Sequence, residues 1–388
     1  MSNCQKQKSN MHVKPAYLHV GFFLVLAFSL LLLSGCQKDD DSEIEADGKE
    51  ANPPEAIIEP KEEIVPIEVE SGQFSGIHGW LSEETVLYTV SKGASSDIYI
   101  NNLYTGEKSL IYTSELPIVD VLISPDKEHL FIHTSVSTYE GLLTVTDRQG
   151  KVMDSQSLTA AELTYTWNPY NPNLILISAF SEDWTFSSYL MNIEEKSLNE
   201  LTLKEPFVEW LNSGEVVYLD WSSENPALFA PLVKQAIDSE QNEVILDQIF
   251  QVKGFEKGIM TITAENDKMD KAVYTFMTDQ FEVLSSFSVP QLTNYSDWLI
   301  PYSDFVKNQS FLSFQPLHSS EADLYQNGFQ LINTNLSSGE REILLENAEN
   351  EPLSCSPDGN ACLYGYYFEK LILLEKGEIV SLVKEEVL

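Results

Sequence analysis

Between residues 74 and 388 the chain is a train of short apolar runs separated by turn residues, and the runs recur at a fixed interval. Trp80 in Gly-Trp-Leu-Ser, Ile123 in Leu-Ile-Ser-Pro-Asp, Trp167 in Thr-Trp-Asn-Pro and Trp210 in Glu-Trp-Leu-Asn stand 43, 44 and 43 residues apart. A β-rich run follows each of them: Val86-Leu87-Tyr88-Thr89-Val90, Leu130-Phe131-Ile132-His133, Leu174-Ile175-Leu176-Ile177 and Val216-Val217-Tyr218-Leu219. The series continues at Phe255, at Trp298, which lies 88 residues or two periods beyond Trp210, and at Cys355.

Each unit divides into four short strands, as in Asp120–Ile123, His129–Thr134, Gly141–Thr146 and Lys151–Gln156. Turn residues separate the strands, and prolines fall throughout, which excludes a helical solenoid. Four strands repeated every 40–45 residues predict an all-β fold, a single β-propeller in which each twisted sheet buries both faces against its neighbours. The period predicts seven blades over 74–388. Six result if blade five and the irregular stretch from Trp298 to Asn327 are fused differently. The last blade is expected from Pro352–Pro357, Ala361–Tyr367, Lys370–Leu374 and Ile379–Val383. Ring closure is expected where the segment just after Glu70 meets those strands.

The N-terminus follows another pattern. Lys6, Lys8 and Lys14 precede an apolar run from about Val20 to Leu33, closed by Leu33-Ser34-Gly35-Cys36. A basic start, a short hydrophobic stretch and small residues before a cysteine are the marks of a bacterial lipoprotein export signal. The run is shorter than the ~20 apolar residues a transmembrane anchor needs, which is the competing reading. Residues 1–35 are thus expected to be removed and Cys36 to carry the lipid, leaving the protein anchored at the outer face of the cell membrane. Residues 36–73 hold Asp39-Asp40-Asp41 and the prolines Pro53, Pro54, Pro60 and Pro66. They read as an extended acidic tether.

Charge narrows the partners. The chain has 23 Lys plus Arg against 60 Asp plus Glu, a formal net charge of −37. Nucleic acid and anionic head groups repel such a polyanion, so attachment to the membrane is left to the lipid. The only arginines are Arg148 and Arg341, which disfavours sites that clamp phosphate with guanidinium forks. With Cys4 in the signal and Cys36 lipidated, Cys355 and Cys362 remain, flanking a Ser-Pro-Asp-Gly turn. They are either opposed across two strands as a disulfide or two small buried thiols.

Ser124-Pro125-Asp126-Lys127 and Ser356-Pro357-Asp358-Gly359 resemble the turns of TolB-like propellers. Together with the lipobox and the acidic linker, the layout resembles the YqgU-like propeller lipoproteins of Gram-positive bacteria. That resemblance implies a compartment and a propeller described as six-bladed, and no reaction.

The residues themselves point to no catalytic motif. Ser-Pro-Asp residues preset and cap a hairpin turn. His129 and His133 share a strand face about 13 Å apart, too far for one metal. No Gly-x-Ser-x-Gly elbow, His-Glu-x-x-His pair or phosphate-cradling loop occurs. No cofactor or metal is therefore expected.

The loops are asymmetric. Those between second and third strands are longer, and they share one rim with the blade-to-blade connections. Tyr139, Glu140, Asp183, Trp184, Trp221, Glu224, Glu265, Asp267, His318 and Tyr325 are expected there, with Tyr139, Trp184, Trp221, His318 and Tyr325 as the ligand-binding candidates. Aromatics among acids suit a carbohydrate, peptide or cationic ligand; the alternative is that Trp184 and Trp221 pack between blades. The functional expectation is a non-enzymatic propeller that binds a protein or cell-envelope ligand. The alternative is an envelope glycan or peptide hydrolase using carboxylates in the channel.

Overall fold

The computed structural model describes residues 63–221, 227–265, 269–294, 297–306 and 310–384, and contains seven four-stranded antiparallel sheets. Cys36, the Asp cluster, Glu224 and Asp267 lie outside the described residues. The innermost strands of the seven blades are Gln73–Trp80, Ile118–Ile123, Glu162–Trp167, Glu209–Trp210, Gln251–Phe255, Ser303–Val306 and Leu353–Cys355. In every blade the four strands pair in chain order.

The second strands carry the core. Leu174–Phe180 and Ala361–Tyr364 are buried at every position, and Thr85–Ser91 and Ser310–Pro316 nearly so. A strand flanked in its own sheet and covered on both faces by neighbouring blades has no solvent side, so it reads as a continuous apolar run. Outer strands such as Lys108–Ser114 and Arg341–Ala348 alternate or open to water.

The recurring tryptophan has a physical reason. Trp210 closes the inner strand of blade four, and its indole Nε1 donates to the Thr166 carbonyl of blade three at 3.3 Å. Trp80 does the same across the seam, donating to Ser354 O of blade seven at 2.9 Å. At these two seams a buried ring with one donor bonds blade to blade, whereas Trp167 donates within its own blade, to Pro172 O at 2.7 Å. Trp298 breaks this series. The inner strand of blade six ends at Val306, and Trp298 belongs instead to a small three-stranded sheet formed by Leu292–Asn294, Asp297–Leu299 and Ser320–Glu321. Its ring packs on Phe250 and Phe229 at 5.1 and 5.5 Å, capping blades four and five.

Closure occurs earlier in the chain than expected. The Ile67 N–H donates to Leu382 O at 2.7 Å, and the Lys384 N–H returns to Ile67 O. Ile67, only 1% exposed, packs with Phe74, Tyr88, Leu363 and Leu371 between the first and seventh blades. Residues expected in the tether thus belong to the ring. This strap enters beside Leu103, whose carbonyl accepts the Val65 N–H, and leaves beside Ser91 at the opposite rim.

Cys355 and Cys362 face each other in register on adjacent strands of blade seven and are bonded through their sulfurs. Both Ser-Pro-Asp turns are alike. Ser124 Oγ bonds Asp126 and accepts the His129 N–H, while Ser356 repeats this with Asp358 and Ala361.

Candidate functional site

Antiparallel strands in chain order place the second-to-third loops and the blade connections on one rim, and the remaining turns on the other. Every exposed aromatic side chain among the described residues lies on the first of these rims: Tyr139, Trp184, Phe207, Trp221, Tyr302, Tyr366 and Tyr367. Exposed apolar groups elsewhere are aliphatic. Burial between blades therefore does not describe Trp184 and Trp221, which are 70% and 44% exposed.

Trp184 sits in the turn Ser181–Thr185, where the Ser181 N–H donates to Thr185 O and the Trp184 N–H to Ser181 O. Asp183 accepts from both the Thr185 N–H and hydroxyl. The Thr185 hydroxyl and N–H hold the Asp183 carboxyl below the usual range. The turn forces Trp184 to φ +65°, a conformation costly for a bulky residue. Its ring leans on Phe180, which also meets Phe207 at 5.7 Å.

The connection from blade three to blade four positions Phe207. Ser178 Oγ donates to Pro206 O at 2.8 Å and Gln235 Nε2 to Thr202 O at 2.9 Å, so the segment is pinned at two points. Glu205 on the same segment accepts the Trp221 N–H at 3.1 Å. In front of it opens a cleft of about 510 Å³ whose walls include Phe207, Trp221, Phe250, Tyr165, Glu205 and Glu209. Burial pushes the Glu205 carboxyl up against the Trp221 N–H, and nearby Asp220 adds to the rise. Burial also raises Glu209, opposed by the Gly254 N–H and Lys253.

Tyr139 reaches this arc from blade two, donating its hydroxyl to Glu182 at 2.5 Å. Tyr139, Trp184 and Trp221 thus occupy one arc over blades two to four, whereas His318 and Tyr325 lie on blade six. The Tyr325 hydroxyl donates to Gly328 O and accepts the Leu317 N–H, and His318 meets its ring edge-on at 5.4 Å while bonding Asn327. This pair braces its own loop. Glu140 bonds Ser157 and Glu265 bonds Ser288 and Lys271, so both are held within their own blades.

The central channel contains a cavity of about 1110 Å³ bordered by His78, Asp120, Lys127, Phe255 and Cys355. Asp120 of blade two links three blades, meeting His78 Nδ1 at 3.5 Å and accepting the Tyr165 hydroxyl at 3.1 Å. Burial pushes Asp120 up, but hydrogen bonds from His78, Val121 and Tyr165 outweigh it and hold the carboxyl below its usual value. Asp304 is raised by burial; its two oxygens accept the Phe305 and Cys355 N–H groups, making it a strut between blades six and seven. Among the described residues no group of three His, Cys, Asp or Glu side chains could hold a metal ion.

Glu205, Phe207 and Glu209 lie on a blade-to-blade connection and an inner strand, outside the second-to-third loops from which the sequence-based candidates come. The visible signal is Glu205-Pro206-Phe207, a connection with an aromatic that no strand alternation requires.

The sequence profile of the YqgU-like 6-bladed beta propeller domain matches residues 102–365. That stretch holds five whole four-stranded sheets and parts of the first and seventh, and the seven four-stranded sheets among the described residues exceed the family's stated count. An uncharacterized lipoprotein, YqgU, of Bacillus subtilis is 24% identical over 364 residues, covering 94% of this chain and 97% of that one. The crystal structure of the uncharacterized protein lmo1340 from Listeria monocytogenes superposes with a TM-score of 0.77 at 24% identity, over 83% of this chain and 98% of that chain. The propeller domain of the Trilobed protease from Pyrococcus furiosus, described as having an open velcro topology, has a TM-score of 0.53 at 14% identity, over 81% and 99%, and shares the fold alone.

Proposed function

This chain belongs to the YqgU-like beta propeller family, and on that premise we propose that it is a lipid-anchored binding module whose aromatic rim docks a protein or cell-envelope ligand outside the cell. One observation carries the reading: the seven exposed aromatic side chains gather on one rim, leaving the other rim without any among the described residues. Exposed aromatic rings cost water contact and mark interaction surfaces when they cluster. The acids between them, in a chain of net charge −37, favour a partner that brings positive charge. Lipid on Cys36 supplies the anchor, since the net negative charge does not.

Catalysis by channel carboxylates is less well supported. Asp304, whose carboxyl burial alters, has both oxygens engaged by backbone donors, a strut's geometry rather than that of an acid facing a substrate.

Photocrosslinking side chains placed in intact cells at Trp184 and Tyr366, and on the other rim at Gln149 and Ser338, test the reading. Discrete adducts from the first pair alone are expected. Adducts from the second pair alone, or equally from both, overturn it.

A further inference from the structure

The cleft behind Glu205 has a composition that its surroundings leave unbalanced. Two carboxyls, Glu205 and Glu209, border it, and no lysine, arginine or histidine does. Gln251 also lines the cleft, and its Oε1 is buried without a donor. Lys204 precedes Glu205 in the chain but is exposed and does not border the cleft, and Lys253, two residues from Gln251, has its ammonium turned toward blade six, donating to Ser303 O at 3.1 Å and lying 5.8 Å from the Phe305 ring centre. Among the described residues, Glu205 accepts from the Trp221 N–H and Glu209 from the Gly254 N–H, with the distant pull of Lys253 on Glu209. A carboxylate offers about four lone-pair sites, so both keep acceptor capacity to spare. Burial without a paired charge raises both groups, as it does for acids lacking a partner.

The remaining walls combine the hydroxyl side chains Thr164, Thr166 and Ser178 with apolar groups. Phe207 and Trp221 stand at the mouth, and Phe250 and Leu219 lie further in. Ring faces attract a cation electrostatically, and aliphatic walls accept a methylene stem.

We propose that this cleft receives the ammonium or guanidinium end of a lysine or arginine side chain presented by a polypeptide partner. The cation supplies the donors that Glu205, Glu209 and Gln251 lack, while its aliphatic stem lies between Phe207 and Trp221. The inference rests on the rim being the docking surface and assigns its anchor point. A buried charge matched to unpaired acceptors is what makes a contact an affinity-determining one, whereas charges at the exposed edge contribute little.

The test uses the full mature chain with three probes, the Nα-acetyl methylamides of lysine, arginine and norleucine, followed by calorimetry and tryptophan fluorescence. Both cationic probes are expected to saturate near millimolar concentration, with norleucine about tenfold weaker or more. Glu205→Gln should weaken lysine binding at least about tenfold with an unchanged melting temperature, because the glutamine oxygen still accepts the Trp221 N–H. Equal binding of lysine and norleucine, no saturation by either cation, or unaltered binding by Glu205→Gln overturns the proposal. Rim crosslinks that survive Glu205→Gln while lysine binding is absent would leave the rim reading standing and remove this anchor. Lysine binding that persists when the rim gives no crosslinks would do the reverse.

Discussion

The backbone N–H of Trp221 donates to Glu205 Oε1 at 3.1 Å, joining the second-to-third loop of blade four to the connection that leads into that blade. The bond fixes an acid and an aromatic ring on the same edge of the ring of blades. Side chains of the rim are thereby set by backbone-level contacts.

Trp184 offers the cleanest separation of rim function from fold. At φ +65° glycine is the unstrained residue, and the indole's main neighbour is Phe180. Trp184→Gly should leave the thermal midpoint within a few degrees of the parent, or raise it, since relief of strain is worth about 1 kcal/mol. Crosslinking at the neighbouring rim position Tyr139 should fall. A large drop in melting temperature measured by calorimetry would show the ring to be core.

The Cys355–Cys362 bond closes a short loop with a sequence separation of 7. Loop-closure entropy for that length is about 2–3 kcal/mol, so the double Cys→Ser variant is expected to lose that much stability in denaturant unfolding. Addition of a reductant to the parent should lower its midpoint toward that of the variant. No difference between the two proteins in either condition would contradict the assignment.

Ile67 is a core residue despite its acidic surroundings. Ile67→Ala should cost about 2–5 kcal/mol, as for other buried large-to-small changes. A chain beginning at residue 63 should melt like one carrying the whole tether, while a chain beginning at residue 71 should melt well below it. Equal midpoints for both truncations would show the strap to be dispensable.

Stability should peak on the acid side of neutrality. Asp304 and Glu209, raised by burial, bind protons more readily folded than unfolded, so their share of stability fades as pH rises from ordinary carboxylate values through their raised ones. Asp97 and Asp120 act oppositely. Burial pushes both up, but Lys92 and Thr113 at Asp97, and His78 and Tyr165 at Asp120, outweigh it. Stability from these two is present above the unfolded carboxylate value and lost as pH falls through their lowered ones. Melting temperature followed across pH should show a maximum, and Asp304→Asn should flatten its alkaline side.

Much of the ring was readable because its second strands have no wet face. The run Leu130-Phe131-Ile132-His133 falls inside the strand His129–Ser137, and the four strands expected for that blade each overlap an observed one. Trp298 misled because it stands at two periods from Trp210 while serving a sheet that the repeat does not include. Ile67 was hidden by composition. Pro60, Pro66 and five acids between Glu59 and Glu70 outweigh a short alternation, Val65, Ile67 and Val69, in which one side chain alone turns fully inward. For the rim, spacing located Trp184 and Trp221 but not the cleft beside Trp221, since Glu209 and Gln251 belong to different blades and meet only when the sheets are arranged around an axis.

The strap also dictates a schedule. Glu68 and Lys384 form an ion pair at 3.0 Å across 316 positions of sequence, beside the backbone bonds of Ile67 to Leu382. A chain made from its N-terminal end exposes Ile67 from the beginning and produces its partners only after six blades have been synthesised. Until then the strap has only its blade-one contacts, Leu103, Phe74 and Tyr88, and half of its seat is missing. Blades can collapse in sequence, each on the one before, but the joining of first to seventh is confined to the final moments of synthesis and export. Any delay there leaves an open ring with an unpaired strand edge outside the membrane, the species most vulnerable to proteases and to pairing with a second chain.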